Sequence, residues 1–174
     1  MTQEIELELT FLAKELPKDI KTAKPTRIID IYIPDTPKHS HLRLRQKGDK
    51  YEMTKKMPIA EGDASEQIEQ TIPLTKDEFV ALSSCSKKQV AKDRYKVKIE
   101  GKIAEIDVFI NELKGLVLID FEFNTIDEKS AFKIPSVALV DVTQEDFIAG
   151  GLLAGKAYND IASELERFNY RRVE

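Results

Sequence analysis

Hydrophobic and polar positions alternate with a period of two along much of this chain. In EIELELTF (4–11), Ile5, Leu7, Leu9 and Phe11 alternate with Glu4, Glu6 and Glu8. Such a pattern predicts a strand, because successive side chains on a strand point to opposite faces. RIIDIYI (27–33) is a β-branched strand that ends at the turn-rich PDTPKHS. HLRLRQK and KYEMTKK flank Gly48-Asp49 and predict a hairpin. EQIEQTIPL, QVAKDRYKVKIE, IAEIDVFI, GLVLIDFEFN and VALVDVT continue the series, with one turn placed at Gly101-Lys102. The pattern shifts to helical in three places. TKDEFVALSS opens with Thr75 as N-cap and Glu78 completing a capping box. DEKSAF predicts a short helix, and KAYNDIASELERF carries Ala157, Tyr158, Ile161, Ala162, Leu165 and Phe168 on one face, a helix over about 156–168. Short connections make the sheet largely antiparallel, and eight or nine strands are enough to close a barrel.

Charge refines this picture, because several strands have one strongly charged face and its sign differs between strands. Arg43 and Arg45 share a face, as do Arg94, Lys96 and Lys98 opposite Tyr95, Val97 and Ile99. Asp120 and Glu122 oppose Ile119, Phe121 and Phe123, and Asp107 shares a face with Glu105. Two architectures fit. In the first, apolar faces pack inward and the charges are solvated, the commoner outcome for any one antiparallel strand. In the second, charged faces line a tunnel and helices cover the apolar outside. Carboxylates there would suit Mg²⁺ or Mn²⁺ through hard oxygen ligands. Arginines would grip a polyanion, and the pair of features equips a site for phosphoryl transfer. Alternation alone leaves both architectures open.

Composition narrows the functional classes. A chain of 174 residues with 41% hydrophobic and 33% charged content predicts one soluble globular domain, residues 1–174. With 27 Lys+Arg against 31 Asp+Glu the net charge is −4, which argues against DNA as a partner. Cys85 is the only cysteine, so no intrachain disulfide forms, and a reducing cytoplasm is the expected location. No secretory leader pattern or membrane-length apolar run is present in the sequence. His39 and His41 read as exposed rather than zinc-binding, Cys85 as structural, and Tyr170-Arg171-Arg172 as a solvated tail. GGLLAGK departs from P-loop spacing.

In order along the chain, EIELELTF, DIYIPDTP, LRLRQKG, YEMTKK, KDRY, IDVF, LIDFEF and DVT together resemble the CYTH superfamily, the triphosphate tunnel metalloenzymes. The similarity runs from about Gln3 to Tyr158. It implies an α+β fold: a closed eight-stranded antiparallel β-barrel tunnel with a charged interior, flanked by helices. It also implies Mg²⁺- or Mn²⁺-dependent hydrolysis of a triphosphate-containing small molecule, inorganic tripolyphosphate first. A class IV adenylyl cyclase or a degenerate, binding-only tunnel are the alternatives, and the resemblance leaves a homodimer open. Carried over by motif, Glu4, Glu6, Asp120, Glu122 and Asp107 would hold metal. Arg43, Arg45, Lys56, Arg94, Lys96 and Lys98 would bind phosphates, and Glu69 and Tyr32 would act on the nucleophilic water. The family's opening motif is ExExK. Aligned from Glu4, it puts Glu8 at the lysine position, with Lys96 or Lys98 as a conceivable partner, and Gln67 replaces the first glutamate of the middle strand. After DVT, QEDFIAGG lacks the usual cation and tyrosine.

Overall fold

The alternating segments form strands, and short turns make every pairing between them antiparallel. The computed structural model describes residues 3–174, the side chains of Gln3 and Glu4 excepted. Strands β1 (Gln3–Ala13), β2 (Thr26–Ile33), β3 (Leu42–Lys47), β4 (Lys50–Pro58) and β5 (Glu66–Leu74) precede helix α1 (Lys76–Ser83). Then come β6 (Gln89–Ile99), β7 (Lys102–Phe109), β8 (Val117–Phe123), helix α2 (Ile126–Ala131) and β9 (Ala138–Asp141). Helices α3 (Gly150–Leu153) and α4 (Tyr158–Glu166) complete the chain. The order β5-β4-β3-β2-β6-β7-β8-β1 closes on itself through β1–β5 pairing, giving an eight-stranded barrel with β9 added beside β1. One edge of β1 serves two partners: residues 3–7 pair with β5, and 11–13 with β9. The expected α+β barrel with a C-terminal helix is the observed fold.

The turns explain the register. Lys47 faces Lys50 across Gly48-Asp49, with Gly48 at φ 59°. Ile99 faces Lys102, so the next tight turn is Glu100-Gly101, one residue earlier than the sequence pattern suggests. Both residues take positive φ (49° and 93°), the geometry that a two-residue hairpin needs to match strand twist. Helix α1 starts at the predicted capping box: the Glu78 amide donates to the Thr75 hydroxyl, and the Thr75 amide donates to the Glu78 carboxylate at 2.7 Å. Helix α4 is shorter than expected. Gly155 at φ 84° breaks the chain before it, and the Ala157 amide donates to Asp160 at its start.

Of the two architectures, the chain adopts the inverted one. The apolar faces of β1, β6, β7 and β8 point outward into a cluster that includes Phe11, Ile106, Ile119 and Phe121, with Ile20 and Phe132 packed over it. Helix α1 covers Ile31 and Leu44 through Phe79. A third cluster closes one end of the barrel. Leu12, Tyr32, Val90, Phe109 and Leu118 pack there against Val142, Phe147 and Leu153. Gly150 permits this closure, since a Cβ on it would lie 2.0 Å from the Tyr32 hydroxyl. Of the expected solvated tail, Arg171 and Arg172 are exposed, but Tyr170 is not. Tyr170 is buried, its hydroxyl donating to the Gly115 carbonyl at 2.9 Å and accepting from the Val117 amide at 2.8 Å. Among the described residues, no helix is long and apolar enough to cross a membrane.

Candidate active site

With the apolar faces turned outward, the polar faces enclose a cavity of about 1090 Å³. Half of its carboxylates come from β1, β7 and β8, and its cations come mainly from β3, β4 and β6. Each strand contributes alternate residues: Glu6, Glu8 and Thr10; Arg43 and Arg45; Lys92, Arg94 and Lys96; Asp120 and Glu122. The twofold period that signalled strands therefore also built the site.

On the acidic side, Glu6, Glu8 and Glu122 each present a carboxylate oxygen within 4.8 Å of the others. Antiparallel pairing sets Glu8 directly opposite Glu122. Burial, and then Glu8 as a like charge, raises the Glu6 carboxyl despite the opposing pull of Lys56. Burial followed by Glu105 and Glu8 raises Glu122. Asp120, deeper on the same face, is held well above the usual carboxylate range by burial, Glu8 and Asp107. Its Oδ1 accepts a hydrogen bond from the Thr10 hydroxyl at 2.9 Å. Three hard oxygen donors that repel one another fit a small divalent cation, whose charge would relieve the repulsion.

The basic side is tied to carboxylates by a network. Lys56 pairs with Glu6 and lies 3.3 Å from Glu69. Burial would lower the Lys56 ammonium, but Glu8, Glu6 and Glu69 outweigh it and raise it. Glu8 therefore acts on Lys56, and of the two conceivable partners Lys96 pairs with Glu105 while Lys98 lies outside the cavity lining. Arg94 donates two 2.6 Å bonds to fully buried Asp107, pairs with Glu105, and reaches Asp120 at 3.3 Å. Lys92 also pairs with Asp107, and Lys96 with Glu105. Burial would raise Asp107, but Arg94 and Lys92 hold it far below the usual range. Arg43 differs from these cations: its Nη2 stands 3.8 Å from Glu69 and its buried Nε has no hydrogen-bond partner.

The expected residues fall into place unevenly. Glu6, Glu69, Tyr32, Arg43, Arg45, Lys56, Arg94, Lys96, Asp107, Asp120 and Glu122 all line the cavity. The Glu4 side chain lies outside the described residues. Lys98 is exposed and outside the cavity lining, since its strand has passed the mouth by that point. Glu8 joins the acidic group rather than opposing it. Asp107 serves Arg94 and Lys92, so its oxygens are engaged by cations. Sequence reasoning missed Lys92 and Asp30, although each sits two residues from a recognised inward residue, Arg94 and Tyr32. His39 and His41 are exposed with ring centroids 4.5 Å apart, at the cavity edge. Cys85 is exposed rather than packed.

Residues 3–133 match the CYTH domain. The chain belongs to the CYTH domain family. An inorganic triphosphatase from Nitrosomonas europaea is 34% identical over 142 residues, 80% of this chain and 90% of the relative. The crystal structure of an inorganic triphosphatase superposes with TM-score 0.63 at 27% identity, covering 86% of this chain and 93% of that one. A Bacillus halodurans protein classed as a candidate adenylate cyclase shares the fold, with TM-score 0.52 at 19% identity over 94% of this chain and 98% of its own. The CYTH barrel is thus common to this chain and these proteins.

Proposed function

We propose that this CYTH protein hydrolyses the terminal phosphoanhydride of a triphosphate inside the barrel, with inorganic tripolyphosphate as substrate. The observation that carries this reading is one cavity holding the Glu6–Glu8–Glu122 group together with an under-bonded Arg43. The inorganic triphosphatase relatives support the substrate class. Glu6, Glu8 and Glu122 would hold Mg²⁺ or Mn²⁺. When bound, that cation would supply charge neutralisation to the phosphate oxygens.

The chain's own residues do the rest. Arg43 and Lys56 align the phosphates, and Arg94, held in place by Asp107, adds positive charge from the cavity wall, which is most of what a loose phosphoryl-transfer transition state requires. Water attacks the terminal phosphorus, the bridging P–O bond breaks, and pyrophosphate leaves together with inorganic phosphate. Glu69 is the residue proposed to take the water's proton. Lys56 and Arg43 hold it ionised against the effect of burial, and Thr71 donates to it at 3.0 Å. Tyr32 packs against Gly150 at the closed end and is assigned to positioning. Grouping Glu6 with Glu8 shifts the acidic pair one inward step from Glu4 and Glu6, so Thr10 takes the position of the motif's lysine. A neutral Thr10 that donates to Asp120 avoids the like-charge conflict that a glutamate there would create.

A second reading, binding without turnover, draws on one feature. Arg45, Lys56, Lys92, Arg94 and Lys96 each already have a carboxylate partner, which weakens their grip on an anion. An assay of purified protein with tripolyphosphate, ATP and thiamine triphosphate, each with Mg²⁺ and Mn²⁺, separates the readings. Phosphate release fastest from tripolyphosphate is expected. Cyclic AMP with pyrophosphate would indicate a cyclase, and binding without product would indicate the second reading.

A further inference from the structure

Two arginines of β3 face the cavity two residues apart, yet their surroundings differ sharply. The Arg45 guanidinium donates from Nε to Asp30 Oδ1 at 2.7 Å and from Nη2 to Oδ2 at 2.8 Å. This fork-to-fork pair joins directly opposed residues of β2 and β3. It is nearly sealed: Asp30 is 2% exposed and Arg45 8%. Arg43, by contrast, faces Tyr32 across the same strand pair, makes one 3.8 Å approach to Glu69, and keeps a buried Nε without a partner.

The geometry points to Asp30 as the residue that withholds Arg45 from the anion and leaves Arg43 as the phosphate-gripping arginine of β3. This inference rests on the triphosphate reading of the tunnel and adds a specificity-determining residue to it. For Arg45 to turn toward a phosphate, both charge-assisted bonds must break and leave a buried carboxylate uncompensated, a cost on the order of a hundredfold or more in an equilibrium constant. Arg43 has nothing comparable to give up. A bound phosphate oxygen would also satisfy the orphaned Nε, removing the penalty of a buried donor without an acceptor. Burial would raise Asp30, but Arg45 and its hydrogen bonds, with Arg43 and Lys92 nearby, hold it far below the usual range. Asp30 is therefore an ionised carboxylate that both locks Arg45 and subtracts one unit of positive potential from the seat.

The test is calorimetric titration of tripolyphosphate, in Mn²⁺ buffer, into the full chain and three variants. Asp30→Asn removes the lock, frees Arg45 and is expected to tighten binding about tenfold or more, the worth of a new charge-assisted bond. A purely structural Asp30 could not produce tighter binding. Asp30→Asn/Arg45→Gln replaces the pair by two neutral amides and is expected to bind within about threefold of wild type, whereas Arg43→Gln loses tenfold or more. Unchanged or weaker binding by Asp30→Asn would overturn the inference. So would a tenfold loss in the double variant, which decides the matter even if Asp30→Asn does not fold. Wild-type protein that binds no tripolyphosphate would instead overturn the functional reading itself, and the inference with it.

Discussion

Replacing Glu8 by Gln should make the protein more stable in chelator and less responsive to metal. Glu8 is a like-charge neighbour of Glu6, Asp120 and Glu122, raising all three carboxyls, and it raises the Lys56 ammonium. Two unit charges 4.8 Å apart, the outer limit of the acidic group, repel by about 0.9 kcal/mol in water and about 3.5 kcal/mol at an effective dielectric of 20. Glu6 and Glu8 are partly buried and Glu122 is exposed, which puts the repulsions within this group toward the lower figure, while Asp120 lies deeper and outside it. Two such repulsions, with a further one from Asp120, against the attraction to Lys56 leave a net gain of about 1–2 kcal/mol for Glu8→Gln. For a chain of this size that is a rise in Tm of about 2–8 °C in EDTA. With Mn²⁺ at a hundredfold its Kd, wild type should gain about 2.7 kcal/mol, and the variant only a small part of it. Differential scanning calorimetry in EDTA and in Mn²⁺ reads both effects. A variant that melts lower in EDTA, or that keeps the full Mn²⁺ shift, would refute the placement of Glu8 in a repulsive metal group.

Phe121→Ala tests the inversion of the barrel. Its ring is fully buried on the outer face against Phe11 and Phe132, so the change should cost about 3–5 kcal/mol by urea denaturation. Tripolyphosphate affinity of the folded fraction should not change. Gly150→Ala would put a methyl 2.0 Å from the Tyr32 hydroxyl, and about 1–3 kcal/mol of destabilisation is expected in the same measurement. The pH dependence has two opposed parts. Asp30 and Asp107 are lowered in the folded protein, so the stability they provide is complete above the unfolded value near 4 and is lost as pH falls below it. Glu6, Asp120 and Glu122 are raised, so their cost appears as pH climbs above about 4. In EDTA, stability should peak on the acid side of neutrality, and the Mn²⁺-induced Tm shift should be larger at pH 8 than at pH 5. A shift independent of pH would contradict this assignment.

The barrel was legible because one periodicity served two purposes. Alternation in KDRYKVKI marks a strand and also sorts Arg94 from Tyr95, so the interior of the tunnel could be anticipated once the resemblance had chosen the inverted architecture. The grouping of charges was much less legible. Glu4, Glu6 and Glu8 are equivalent along the strand, and cross-strand register separates them: Glu4 lies opposite Glu69 and Glu6 opposite Gln67 on β5, and Glu8 opposite Glu122 on β8. The Arg45–Asp30 lock likewise depends on β2–β3 pairing, which places residues fifteen apart side by side. The end closure was hidden for another reason. QEDFIAGG has neither strand nor helix periodicity, and its role comes from glycines that admit Tyr32 and the backbone of Ser40. Tyr170 gave no signal at all, because a single aromatic near a terminus has no pattern to belong to.

The most direct test of the account is a crystal structure of the wild-type protein with Mn²⁺ and a non-hydrolysable imido analogue of tripolyphosphate, read by anomalous scattering. The predicted result is a manganese peak among Glu6, Glu8 and Glu122, with the analogue inside the barrel against Arg43 and Lys56. Manganese bound elsewhere, or an analogue lying outside the barrel, would contradict the central claim.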